Sequence, residues 1–134
     1  MTNYKAQMPN EVHMLCETRV YDLEERTALF AEKIIDFVKT LSRNSINNVL
    51  IGQIIRSSTS IGANYMEADG AESKKDFNHK ISLCRKESKE TKHWLRMIAK
   101  ANSDKQKECS FLGNEAQELT LIFSSILLNR KARD

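Results

Sequence analysis

Apolar residues recur at spacings of three and four along most of the chain, and strict alternation of apolar and polar residues never extends over a strand length. The single proline is Pro9, so the 125 residues from Asn10 to Asp134 contain no residue that must break a helix. The pattern predicts an all-α domain of four helices with short connections, hence an antiparallel up-down four-helix bundle. Residues 1–20 are weakly patterned, so we expect an N-terminal arm followed by one bundle domain over 21–134.

The four helices are predicted over 24–41, 47–71, 74–101 and 106–130. The second contains a serine-rich stretch, 57–60, with poor helix propensity. Periodic apolar residues on both sides of it, such as Ile54 and Ile61, predict that the helix is continuous. Two apolar rows that repeat every seven residues define the third helix, and Ser73 with Asp76 three residues later predicts its N-terminal cap.

The second helix has very few ionised side chains. Between Asn44 and Met66 the only formal charge is Arg56, whereas the surface helix of a monomeric bundle carries a charged face. Arg56 and Glu67 share a side but lie about 16 Å apart along the axis, so each needs a partner on a neighbouring helix or subunit. We therefore predict an oligomer interface formed by a polar row of the second helix and one flank of the third. Its residues are Gln53, Arg56, Ser60, Asn64, Glu67, Leu83, Glu87, Glu90 and Trp94.

The opposite flank of the third helix is basic. Residues 73–100 contain nine Lys or Arg against three acidic residues, a net charge of +6, whereas the other residues sum to −3. A row of cations on one side of a helix fits the phosphate backbone of RNA or DNA, because each neutralised phosphate releases counterions without base readout. Such a face can equally be only solvated. The candidate nucleic-acid-binding residues are Lys75, Arg85, Lys86, Lys89, Lys92, Arg96 and Lys100.

Composition narrows the classes of protein to which the chain can belong. The chain has 134 residues, 40% of them hydrophobic and 29% charged, which is too apolar for a disordered protein. The least charged apolar run, 119–128, is far shorter than the roughly 20 residues of a membrane span, and no signal peptide is recognisable, so we expect a cytoplasmic protein. Three widely spaced cysteines, without a C-x-x-C pair, predict reduced thiols and no metal site. No catalytic or nucleotide-binding motif is present, so we expect neither an enzyme nor a cofactor.

Three segments of the sequence resemble one known family. They are Gln53-x-x-Arg56-Ser57-x-x-Ser60-x-x-Ala63-Asn64-x-x-Glu67-Ala68, the run Ser73 to Phe77, and Lys86-Glu87-x-x-Glu90-Thr91-x-x-Trp94-Leu95. The combination is similar to the four-helix-bundle proteins encoded in intervening sequences of bacterial 23S ribosomal RNA genes, and the likeness extends over about 21–128. One departure is Ser88, where relatives commonly have alanine.

The resemblance implies a homopentameric, barrel-like ring without established catalytic activity. It also implies distant kinship with the accessory proteins of diversity-generating retroelements, which bind a reverse transcriptase and nucleic acid through basic surfaces. Together with the basic flank, it predicts a non-catalytic oligomeric adaptor that binds RNA or DNA without strong sequence specificity. Two alternatives stay open. One is a protein-binding scaffold without a nucleic-acid role, and the other is a catalytic bundle, which would need carboxylates and histidines clustered on facing helices.

Overall fold

The periodic segments form four α-helices in a computed structural model that describes residues 22–133. Helix α1 spans Leu23–Val38, α2 spans Ser45–Asp69, α3 spans Lys74–Ala101 and α4 spans Gln106–Arg133. A short 3-10 turn, Ser103–Lys105, leads into α4. The all-α prediction is confirmed, since the described residues contain no strand. The predicted arm, 1–20, lies outside the described residues.

Local capping sets the helix ends. The Ser73 hydroxyl accepts a hydrogen bond from the Asp76 backbone N–H at 3.0 Å, which confirms the predicted cap of α3. Asn44 caps α2 in the same way, its Oδ1 accepting from the Asn47 N–H at 2.8 Å. Helix α1 ends at Val38, earlier than the predicted 41, because the chain turns there. Leu41 remains buried in that turn.

The serine-rich stretch continues α2 without a break. Ser57 and Ser58 are fully buried, and the Ser57 hydroxyl lies 2.8 Å from that of Thr91 on α3. Small side chains at these positions let α2 approach its neighbours closely. A Cβ added at Gly62 would lie 3.1 Å from Thr27 Oγ1 of α1, so a larger residue there would require Thr27 to shift by a few tenths of an ångström. Tertiary contacts therefore override the poor helix propensity of the segment.

Helix α3 occupies the middle of the packing and lies along both α2 and α4, while α1 packs mainly on α2 and touches α4 at few points. The two predicted rows of α3 enter the core, with Ile81, Cys84, Ser88 and Leu95 buried. Among the described residues, no helix is long and apolar enough to cross a membrane.

A polar contact joins the connections at one end of the bundle. The amides of Asn47 and Asn102 donate to each other's Oδ1, both at 2.9 Å, and Asn47 Nδ2 also donates to the Ser42 carbonyl at 2.8 Å. Asn47 is only 1% exposed, so these bonds satisfy an amide that would otherwise be costly to bury. The turn before α2 is thereby fixed to the end of α3.

Candidate nucleic-acid interface

The candidate nucleic-acid-binding residues form a single surface, which we call the basic face, along the outer side of α3. The burial of Ile81, Cys84 and Leu95 orients the helix, so that the lysines between them point outward. Arg85 is half-buried, and the other members of the face are exposed. At 1.5 Å per residue, Lys75 and Lys100 lie about 37 Å apart along the axis. The basic face consists of Lys75, Arg85, Lys86, Lys89, Lys92, Arg96 and Lys100.

The charges of the basic face have no acidic partner among the described residues. Lys92 is the one member with a side-chain hydrogen bond there, since its Nζ donates to the neutral Gln117 Oε1 of α4 at 2.8 Å. This bond holds Lys92 beside α4 without neutralising its charge. Of the three acidic side chains of α3, Glu87 and Glu90 lie on the opposite flank and Asp76 lies in the first turn, and none of them forms an ion pair with a member of the basic face.

The predicted polar row is held together within the chain. Arg56 forms ion pairs with both Glu87 and Glu90 of α3. Lys80 Nζ lies 2.6 Å from Glu67 Oε1, and this hydrogen bond raises the pKa of Lys80. Arg56 and Glu67 thus find their partners on the neighbouring helix, one of the two possibilities that their spacing left open.

The remaining members of the predicted interface are also engaged locally. Ser60 Oγ donates to the Arg56 carbonyl at 2.7 Å, and Asn64 Nδ2 donates to the Ser60 carbonyl at 2.9 Å. Trp94 is half-buried against the core. Its Nε1 donates to Glu90 Oε2 at 2.9 Å. Gln53 Oε1 accepts a hydrogen bond from Arg56 Nε at 3.3 Å, and Leu83 is half-buried.

Another ion-pair cluster closes the bundle between α1 and α4. Arg26 donates from Nε and Nη2 to the two carboxylate oxygens of Glu115, each at 2.8 Å, and from Nη2 to Glu118 at 2.8 Å. These hydrogen bonds hold the pKa of Arg26 above its usual value. The paired carboxylates of α4 are therefore turned toward α1 and away from the basic face.

Exposed apolar side chains form a surface that the sequence patterns did not single out. Ile46, Val49 and Met66 on α2 are 62%, 64% and 59% exposed. Ile46 and Val49 lie one turn apart, whereas Met66 lies about 25 Å further along α2 and about 100° around its axis. The shortage of charged residues in α2 was a sign that this helix has further apolar surface, but the predicted interface was placed on its polar row. On α4 the large exposed apolar residues are Phe111, Leu121 and Leu128.

The described residues contain no group of three or more His, Cys, Asp or Glu side chains that could hold a metal ion. Cys84 and Cys109 are buried free thiols. Burial raises the pKa of Cys84 to about 12 and that of Cys109 to about 11. Both thiols are therefore neutral at physiological pH.

Comparison with known proteins bears directly on the resemblance. The family model of the 23S rRNA-intervening sequence protein matches residues 20–125, most of the chain. The chain belongs to the 23S rRNA-intervening sequence protein family. A crystal structure of a protein with unknown function from the S23 ribosomal protein family of Bacteroides thetaiotaomicron is 32% identical, with a TM-score of 0.71. The match covers 78% of this chain and 96% of that one. Comparison with curated proteins found no match.

Two of the segments that carry the sequence resemblance meet in the structure. They contribute to the contact between α2 and α3, through Arg56, Glu87 and Glu90 on its surface and Ser57 with Thr91 at its centre. In this chain, these residues therefore serve the packing of two helices. The basic face lies on another side of α3 and takes no part in this contact.

Proposed function

We propose that the chain is a non-catalytic adaptor that binds the phosphate backbone of RNA or DNA through the basic face of α3, without strong sequence specificity. One observation carries the proposal: seven cations share one side of a helix, and none has an acidic partner among the described residues. Three basic residues on other surfaces, Arg26, Arg56 and Lys80, are paired with carboxylates, and Arg43, which has no ion pair among those residues, does not belong to such a row.

Counterion release explains why such a face binds nucleic acid. A phosphate neutralised by lysine or arginine releases condensed cations, and this entropy gain requires no contact with base edges. The only tryptophan, Trp94, is half-buried and bonded to Glu90, so it does not supply a stacking platform for bases. Affinity should therefore depend on salt more than on base sequence.

We also propose that the chain forms a homo-oligomer, with the pentamer that the family resemblance implies as the specific form. The support comes from the exposed apolar side chains of Ile46 and Val49, which lie one turn apart on α2, since adjoining exposed apolar side chains favour a protein contact. Assembly would bring several copies of the basic face into one particle and so increase its avidity for a phosphate chain. Light scattering, with and without RNA, measures the number of subunits.

The binding experiment uses fluorescence anisotropy with a labelled RNA at 50 mM salt. The test variant combines Lys89→Gln, Lys92→Gln and Arg96→Gln, and we expect it to lose roughly tenfold or more in affinity because three phosphate contacts disappear. A matched control combines Lys33→Gln, Lys39→Gln and Arg43→Gln, which removes the same charge from α1 and the following turn. Equal affinities of the two variants, or no binding by the native chain, would refute the proposal.

A second candidate is a protein-binding scaffold, and a groove between α1 and α4 favours it. The groove has a volume of about 720 Å³, with Phe37, Phe111 and Leu112 among the residues that line it. Phe111 is 67% exposed there, and an apolar groove between helices is the type of surface that receives a partner helix. Salt separates the two functions, because contact through this groove would weaken little between 50 and 200 mM salt.

A further inference from the structure

The groove between α3 and α4 contains two cavities on the cationic side of the molecule. The first has a volume of about 300 Å³. Lys92 and Arg96 line it from α3, while Ser110, Gly113 and Asn114 line it from α4. The second has a volume of about 320 Å³ and lies further along the same two helices. It is lined by Asn78, Ser82, Arg85, Ser124, Leu127 and Leu128.

The two cavities have the same chemistry. Each combines at least one cation from α3 with neutral hydrogen-bonding side chains and an apolar wall, and no carboxylate lines either of them. Arg85 and Lys92 are seven residues apart, so they project from the same side of α3 about 10 Å apart along the axis. The groove therefore has cations spaced along α3 at the edges of two cavities. Each cavity can hold a group with both polar atoms and a flat apolar surface, such as a base.

An unsatisfied polar atom marks the second cavity. Asn78 Oδ1 is buried and accepts no hydrogen bond among the described residues. Buried side-chain oxygens are nearly always paired, and because Asn78 lines this cavity, a rotation of its side chain would let a ligand there supply the missing donor. The hydroxyl of a ribose or the amino group of a base is a donor of this kind.

We infer that the groove between α3 and α4 binds single-stranded nucleic acid, with phosphates on Arg85, Lys92 and Arg96 and unpaired nucleotides in the two cavities. The inference rests on the proposed function and specifies its substrate. The cavities, at about 300 and 320 Å³, have the volume of a site for one small ligand, so each can take an unpaired nucleotide but not a base pair. A duplex can reach only the outward members of the basic face, such as Lys86 and Lys89.

Gly113 allows the groove to be blocked without changing charge. A Cβ at Gly113 meets nothing within 4 Å, and neither does one at Gly52 on the outer side of α2. Gly113→Leu therefore fills the first cavity, while Gly52→Leu makes the same chemical change elsewhere. Both substitutions raise helix propensity, so loss of binding by unfolding is not expected, and a thermal melt of each variant checks this.

The probes are a 12-nucleotide single-stranded RNA, the DNA strand of the same sequence, and the RNA annealed to its complement. We expect Gly113→Leu to weaken binding of the single strands about tenfold while leaving the duplex within twofold of the native affinity. Gly52→Leu lies near the proposed oligomer contact and away from the groove, so it should leave the ratio of single-strand to duplex affinity unchanged. Tighter binding of the RNA strand than of the DNA strand would indicate that the groove contacts the 2′-hydroxyl, and equal binding that it contacts shared groups.

Asn78→Leu supplies an independent readout. Because it removes a buried unsatisfied oxygen, it should raise the melting temperature of the free protein, yet it should weaken binding of the single-stranded RNA. If Asn78 had only a structural role, Asn78→Leu would change the melting temperature and the RNA affinity in the same direction, and that result would count against the inference.

The possible failures are distinguishable. If the lysine and arginine variants lose binding but Gly113→Leu binds single strands as the native chain does, the groove is not the site and the proposed function stands. If single strand and duplex are weakened equally by Gly113→Leu, the groove is not selective and the inference is wrong. If the native chain binds none of the probes at 50 mM salt, both the inference and the proposed function fail.

Discussion

The ion pairs of Arg56 decide whether the polar row of α2 is an internal contact or a subunit contact. The perturbation is Arg56→Met, which keeps an unbranched apolar stem and removes the guanidinium group with its charge. Arg56 is 46% exposed, but its partners are more sheltered, with side-chain exposures of 13% for Glu87 and 26% for Glu90. The substitution leaves two partly buried carboxylates, one turn apart, without their cation.

The magnitude follows from this partial burial. Breaking a fully buried ion pair costs about 3–5 kcal/mol, whereas an exposed pair contributes at most about 1 kcal/mol. The half-exposed Arg56 beside a well-sheltered Glu87 lies between these limits, and solvent screening brings the expected loss to about 2 kcal/mol. For a domain of this size, that corresponds to a fall in melting temperature of roughly 6–8 °C.

Thermal melts followed by circular dichroism measure the loss, and the fluorescence of Trp94, the only tryptophan, reports on Glu90 directly. Combining Arg56→Met with Glu87→Gln and Glu90→Gln should restore most of the stability, because no unpaired charge remains. Arg43→Met, at an exposed position without an ion pair among the described residues, is the control. A native melting temperature in Arg56→Met would refute the reasoning. A fall in melting temperature that depends on protein concentration would also refute it, since that result would place the carboxylate partners on a second chain.

Two further predictions concern the core. Gly62→Val should lower the free energy of unfolding by about 2 kcal/mol through overpacking against Thr27. Gly52→Ala, where the added Cβ meets open space, should raise the free energy of unfolding by roughly 0.5–1 kcal/mol. Urea titrations measure both changes. Since the pKa of Cys84 is raised to about 12, its neutral thiol contributes stability that is fully present below about pH 8.5 and is lost as the pH rises toward 12. The native chain should therefore exceed Cys84→Ala in unfolding free energy at pH 7.5, and this advantage should shrink at pH 10.5; an advantage that does not change with pH would contradict the assignment.

Periodicity predicted the fold because each helix of this chain has one consistently apolar side. On α4 the residues at helical spacing are buried at Leu112, Ala116, Leu119 and Phe123 and half-buried at Ile126. The serine-rich stretch of α2 shows why propensity is the weaker guide. Its hydroxyls bond to carbonyls of the preceding turn and Ser57 also reaches Thr91, so the polar groups are satisfied inside the helix packing.

The partners of charged residues were harder to predict, because a helical wheel gives the side of a helix but not the neighbour that it meets. Arg56 and Glu67 were correctly placed beside a polar neighbour, but whether this was α3 or another subunit depends on how the helices pack. The same limit applies to the groove between α3 and α4. The unsatisfied oxygen of Asn78 and the open space at Gly113 arise only when two distant segments meet.

The salt dependence of RNA binding tests the central claim most directly. If the seven cations of the basic face contact phosphates of a single strand, the logarithm of the association constant should fall with the logarithm of salt concentration with a slope of about −5 per chain. Removing Lys86 and Lys89 by substitution with glutamine should make that slope shallower by about 1.4. A slope near zero, or the absence of binding at 50 mM salt, would contradict the account.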